Sequence, residues 1–493
     1  MGLLLTLSKD QDKEAIWSTE YSATNAWNLN FNNGNQNNNN KSTNRNRVRP
    51  VSALRLKIIE MVTGEDIFEA YFDCRHRKRG KRSSIIYEMN YEERLIELRD
   101  AINDRSYFPS KSICFVVTRP RHREVFAADF CDRIVHHYIA LRLEPLFEMV
   151  FNDRTFNCRK GKGQLYGIEC LKKDMYECSA GYTRDCWIAK LDLQGFFMSI
   201  NKQMLANMLD NFIVENYTPG SKMRALMADE EYLERRDFPG EVRKMMLDYR
   251  YDGSDIEDLR FVTRTVILHK PEENCIMRSP AQMWSHLSAN KSLFTNGDGL
   301  GIAIGNLFSQ LFANFLLNRL DWALEEYGIK CHGRYVDDFY MIHEDKELLL
   351  RTVPKIREVL ASAGLTLHPR KFYLQHYAKG VSFTGCIVKP GRVYVEGRVC
   401  ASFRSAVRRI NNEKTLSGLR KDVDSINSYL GLTRHCNEYG SRRRLLQQLA
   451  PRVFLRCYVK GHFEILKLKN RYKSKNIIIE KIRNGTLRPA VFR

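Results

Sequence analysis

"GRYVDDFYMIHED", residues 333–345, places Asp337 and Asp338 side by side between apolar and aromatic residues. The pattern predicts a buried hairpin carrying two adjacent like charges. Such charges repel at close range, and a desolvated carboxylate is costly unless something neutralises it. A divalent cation is the natural neutraliser, which raises the question of what chemistry needs one there.

A second acid stands in a comparable setting. In "WIAKLDLQGFFMSI", residues 187–200, Asp192 ends an apolar alternating run and precedes two aromatics. Oxygen ligands on a rigid strand end suit Mg²⁺. Asp192 and Asp337 together could hold two Mg²⁺ ions roughly 3.5–4 Å apart, the arrangement that clamps both oxygens of a phosphoryl transfer. A lone Asp after a strand is ordinarily a turn former. The two motifs in this order, in so basic a chain, point instead to metal-dependent chemistry on phosphates.

The charge supports that direction. The chain has 493 residues, a formal charge of +21 and a pI near 9.4. A surplus of that size implies a polyanionic partner, most often nucleic acid and less often an anionic membrane. No apolar run approaches the roughly 18 residues that span a bilayer. The opening "MGLLLTLSKD" lacks the basic start and the apolar length of a signal peptide. The 13 cysteines are scattered singly, without zinc-type spacing. A reduced cytoplasmic protein without membrane attachment is expected.

Composition divides the chain into zones. Residues 1–50 include a segment in which 12 of the 22 positions 25–46 are Asn, expected to be flexible or a poorly packed ribbon. From Val51 the pattern turns helical and charged, as in "YEERLIELRDAIND". Between about 110 and 398, short β-like runs alternate with helical ones, and "NLFSQLFANFLLNRLDWALEEYG" (306–328) predicts a long helix before the double aspartate. Residues 401–493 hold 22 Lys/Arg against 6 Asp/Glu and read as helical, with an excess suited to phosphate contacts.

Taken in order, these segments resemble the motifs of reverse transcriptases. "YVDD" is similar to their catalytic motif, "LDLQGFF" to their first palm motif, and "GLGIAIGNLFSQLFANFLLNRLD" (299–321) to the helix under the incoming nucleotide. "TRPRHREVFAADFCDRIVHH" (118–137) and "FNCRKGKG" (156–163) look like fingers segments. "LTLHPRKFYL" (365–374) and "VSFTGCIV" (381–388) are similar to the later palm and primer grip. The resemblance covers about residues 60–400. It implies an α+β right-hand polymerase: fingers and palm over 51–398, with an insertion at about 216–297, and a basic helical thumb over 399–493.

It also implies roles. Asp192, Asp337 and Asp338 would be catalytic and, with the Leu193 carbonyl, would hold two Mg²⁺ ions or Mn²⁺ in their place. Phe197 falls at the steric-gate position, where a ring collides with a ribose 2′-OH and selects deoxynucleotides. Arg123 would contact the triphosphate. Arg159, Lys160 and Lys162 would contact phosphates of the template, and Lys371 would donate a proton to leaving pyrophosphate. Ile304, Gly305 and Gln310 belong to the nucleotide-side motif, but "IGNLFSQ" departs from the common Q-G-x-x-x-S-P form. An apolar Ile304 in place of an amide removes a polar check on the nascent pair. This form is similar to that of bacterial diversity-generating retroelement reverse transcriptases and of some antiphage defence ones, within the retron and group II intron-like superfamily.

Residues 1–50 resemble the end of a lectin-like, formylglycine-enzyme-like domain, or a template repeat translated in frame. Little catalytic contribution is expected of them. The insertion is a candidate for binding RNA or an accessory protein. The expected partners are an RNA template, a DNA or RNA primer and deoxynucleoside triphosphates. Three readings stand beside mutagenic retroelement copying: defence-linked synthesis from a dedicated noncoding RNA, a non-catalytic RNA-binding scaffold, and an RNA-templated RNA polymerase.

Overall fold

The computed structural model describes residues 61–472 except 77, 79–81 and 119–121, together with three strands nearer the N-terminus. The chain divides into two units, Met1–Glu60 and Met61–Arg493, ten residues beyond the expected boundary. In the first unit, β1 (Ile16–Glu20), β2 (Asn25–Leu29) and β3 (Gln36–Asn40) form an antiparallel sheet in which Asn25 pairs with Asn40. Within the Asn-rich stretch, expected to be flexible or a poorly packed ribbon, Asn25–Leu29 and Gln36–Asn40 are paired strands. Backbone pairing needs no apolar side chains.

The second unit is mixed α+β. Two strands, β4 (Ser112–Val117) and β5 (Arg123–Ala127), pair antiparallel. The central sheet is built from β6 (Trp187–Asp192), β8 (Cys331–Tyr335), β9 (Asp338–His343) and β10 (Tyr373–His376), in the order β10-β6-β9-β8 and all antiparallel. A short β7 (Cys275–Met277) adds to β4 in parallel. Beyond the central sheet lie the three-stranded β11 (Val381–Phe383), β12 (Cys386–Lys389) and β13 (Arg392–Val395), and a hairpin of β14 (Cys457–Lys460) and β15 (Ile465–Leu468).

Period-two alternation sends the side chains of β6 and β9 into two different cores. Ala189, Leu191, Phe339 and Met341 join the large core beneath the helices Phe130–Val150 and Leu307–Glu326. Ile188, Tyr340 and Ile342 join a second core under the helix Gln164–Cys178 and the β11–β13 sheet. A strand covered on both faces must be apolar almost throughout, so an acid fits only at its end. Asp192 and Asp338 occupy such ends.

The 216–297 insertion is not a separate module. Its Asp255 accepts hydrogen bonds from Tyr138 and Arg142 of the Phe130–Val150 helix and from Tyr217, all buried. Arg142 also pairs with Asp66 at 2.7 Å and lies 3.8 Å from the Tyr138 ring. The helix Ile256–Leu268 adds Leu259, Val262 and Val266 to the large core. In the basic C-terminal region, Phe403, Ala406, Val407 and Ile410 form the buried stripe of the helix Gly397–Asn412, at helical spacing. They pack with the helix Leu416–Thr433. The basic region is helical as expected but also carries the β14–β15 hairpin, where Cys457 and Leu466 close this core. No helix among the described residues is long and apolar enough to cross a membrane, and all thirteen cysteines are free thiols.

One buried acid gives this fold a pH signature. Asp132 is 2% exposed and accepts from Tyr107 Oη and Ser110 N, both at 3.0 Å. Burial outweighs those bonds and pushes its carboxyl up from 3.8 to about 6. The folded value lies above the unfolded one, so the folded state binds this proton more tightly and the ionised form costs stability. That cost is fully present above about pH 6 and vanishes as pH falls below 3.8. Asp132→Asn should therefore gain stability relative to the parent at pH 7 and lose that advantage by pH 4, in urea unfolding at both pH values. An equal difference at the two would refute it.

Candidate active site

The site begins at a strained turn. Val336 and Asp337 connect β8 to β9, and Val336 sits at φ +62°, a conformation unfavourable for a β-branched residue. Buried side chains hold it there from both sides. The Val336 N–H donates to Asn157 Oδ1 at 2.9 Å, and its carbonyl accepts from Arg334 Nη1 at 3.1 Å. Arg334 is itself buried and paired with Asp321 of the Leu307–Glu326 helix, with Nε to Oδ1 at 2.8 Å. Asn314, one face along the same helix, donates to the Asn157 carbonyl at 2.8 Å. The long helix thus braces the turn that carries Asp337.

The register of the central sheet then brings the acids together. Asp192 is the direct cross-strand partner of Asp338. Like charges in that relation are destabilising unless compensated. Two lysines compensate: Lys371 pairs with Asp192, and Lys190 pairs with Asp338 at 3.0 Å. Among the described residues Asp337 forms no ion pair. Burial raises its carboxyl above the ordinary range, the Asp192 charge raises it further, and Arg123 and Lys371 only partly oppose this. Burial likewise pushes Asp338 up to about 6 against the pull of Lys190. Among the described residues no group of three or more His, Cys, Asp or Glu stands arranged to hold a metal ion.

A cavity of about 490 Å³ opens over these acids. Asp192, Asp337 and Asp338 line it together with Arg123, Phe197 and Gln310. Leu193, Ile304 and Lys371 lie on the same wall. Phe197 is 8% exposed, and its carbonyl accepts from Ile302 N at 2.9 Å, which fixes the ring at the cavity edge. Gly305 has a different task. At φ +118°, a Cβ on it would lie 2.7 Å from Val125 Cγ1 and 2.9 Å from the Phe126 carbonyl, so glycine lets this loop seat on β5. A second cavity of about 730 Å³ shares the three aspartates and runs past Tyr373 and Ser382 to Arg398.

The three residues expected to contact template phosphates stand in different surroundings. Arg159 is buried, donates to both oxygens of Glu148 (2.7 Å at the closest) and caps the Asn152 and Thr155 carbonyls. A guanidinium with its donors spent on buried acceptors is an internal strut. Lys162 is turned onto Asp153 at 3.1 Å, with its side chain 2% exposed. Lys160 is half-exposed, 4.0 Å from Glu144 and with Met245 Sδ as its near contact. None of the three lines either cavity. Sequence reasoning missed Lys190, although its place two residues before Asp192 on one strand put both on the same face. It also missed Asn157 and Arg334, for which no local signal existed.

Compared with models of protein families and with curated proteins, the chain matches none.

Proposed function

We propose that the protein is an RNA-directed DNA polymerase, with the central sheet as palm, the β4–β5 region as fingers and the C-terminal basic helices as thumb. One observation carries this reading: acids from two strands distant in sequence meet at one register position, over a cavity walled by Phe197 and Arg123, in a chain of charge +21. The donor set suits Mg²⁺, since it is all carboxylate and the half-buried Asp337 forms no ion pair among the described residues. Asp192, Asp337 and the Leu193 carbonyl would hold it, with Asp338 beside them. Bound there, magnesium supplies charge stabilisation to the attacking and leaving oxygens of nucleotide addition.

The chain's own groups do the rest. The braced turn fixes Asp337 against the cavity, so its carboxylate needs no reorganisation when substrate arrives. Arg123 faces the same cavity and suits a phosphate bidentately. Lys371, held by Asp192, is positioned to pass a proton to a departing phosphate. The larger cavity past Tyr373 and Arg398 leaves room for a primer end. Two biological settings remain open to the same chemistry: mutagenic copying in a diversity-generating retroelement, which is favoured, and defence-linked synthesis from a dedicated RNA. Sequencing co-purified RNA and its cDNA separates them, because only the first predicts errors concentrated opposite adenine.

Primer extension on an RNA template with each nucleotide class tests the activity. Within it, Phe197→Ala should relax discrimination against ribonucleotides by about 10–100-fold, since removing the ring deletes a steric clash and not a binding contact. Unchanged sugar selectivity in that variant would refute the gate.

A further inference from the structure

We infer that the far end of the 216–297 insertion walls the catalytic cavity and that its Lys291 binds the polyphosphate of the incoming nucleotide. This rests on the polymerase reading and adds to it a residue from a segment expected only to bind RNA or an accessory protein.

The segment is pinned to the site on both sides. On β5, Arg123 lines the cavity while its neighbour Glu124 turns inward and is 1% exposed. Both Glu124 oxygens are used by the insertion: Oε2 accepts from Ser292 Oγ at 2.6 Å and Oε1 from Leu293 N at 2.8 Å. Glu124 is thus a clip that seats residues 292–293 on the strand bearing Arg123. Across the site, Asn296 Nδ2 donates to the Met198 carbonyl at 2.7 Å and the Leu300 carbonyl at 2.9 Å. The Asn290 carbonyl lies 3.9 Å from where a Cβ on Gly195 would stand, in the turn just after Asp192. Phe294 packs between Phe126 and Trp284 at 5.9 and 5.8 Å.

Between these anchors, Asn290 and Lys291 line the cavity. Lys291 is exposed and forms no ion pair among the described residues. The cavity therefore joins three carboxylates to three cations, of which Lys371 is paired with Asp192 while Lys291 has no acid partner among the described residues. A triphosphate with a metal at its reacting end suits such a lining, which offers acids for the metal and an unpaired cation for the terminal phosphates. A lysine on a clipped backbone loses less freedom on binding than one on a loose loop.

The test is equilibrium binding of a deoxynucleoside triphosphate to the full chain on a primer–template, with calcium in place of magnesium so that no turnover intervenes. Lys291→Met should weaken triphosphate affinity about tenfold, or about 1.4 kcal/mol. It should leave deoxynucleoside monophosphate and primer–template affinities as in the parent. Glu124→Ala should weaken triphosphate binding through Lys291, so the double variant should be no worse than Lys291→Met alone. Lys244→Met, at an exposed position of the helix Gly240–Leu247 and outside the cavity, should change nothing. Parental triphosphate affinity in Lys291→Met overturns the subsite, as does a loss confined to primer–template affinity, which would assign Lys291 to nucleic acid. A parent protein that binds no triphosphate at all fails the polymerase reading itself, a distinct result.

Discussion

Asp337→Asn should reduce primer extension by on the order of 10³-fold or more, while primer–template affinity and fold persist. The estimate follows from the several kcal/mol that a correctly held metal contributes to charge stabilisation, at 1.36 kcal/mol per tenfold in rate. Asn keeps the shape of Asp but cannot anchor a divalent cation of the required charge. The same change should not destabilise the protein. Burial and the neighbouring Asp192 raise the Asp337 carboxyl, so its ionised form is a cost to folding at neutral pH. Removing that charge should leave the melting temperature unchanged or higher. Activity and stability moving apart is the signature of a group kept for chemistry. Extension within tenfold of the parent would dismiss the metal assignment, and a large fall in melting temperature would dismiss the account of its burial.

The second large effect is expected at Arg334. Arg334→Met leaves Asp321 as a buried carboxylate without its partner, which costs about 3–5 kcal/mol in comparable cases. It also removes the donor to the Val336 carbonyl, so the turn at φ +62° loses one of its two braces. Urea unfolding should show the loss. Adding Asp321→Leu should recover much of it, because an apolar pair in place of a buried ion pair is often neutral or better. Activity should stay low in the double variant, since the turn still lacks its brace. A destabilisation below about 1 kcal/mol in Arg334→Met would mean that the pair is solvated and the brace is not what holds the turn.

Both predictions concern one hairpin, and its parts differed in how far they could be foreseen. The hairpin and the strand Trp187–Asp192 were legible because alternation is a short-range signal, and an acid closing an apolar run is visible without neighbours. The long helix was expected over 306–328 and spans Leu307–Glu326, its boundaries set by local spacing. Phe197 was singled out by the resemblance of "LDLQGFF" to the first palm motif, and it lines the cavity. The β14–β15 hairpin was hidden because a strongly basic composition carries no periodicity of its own.

What the sequence determined by itself was the central strands and the long helix, the three acids and the basic balance, all of them read from short stretches or from composition. Which cations serve those acids was decided only by the tertiary structure. Arg159 looks like any other basic residue in its cluster, yet it is consumed by Glu148, whereas Lys371 reaches Asp192 across a separation of 179 residues. The role of Lys291 likewise exists only because Glu124 captures a segment 168 residues away. The physical reason is that an ion's function depends on the dielectric and partners around it, and long-range packing alone sets both.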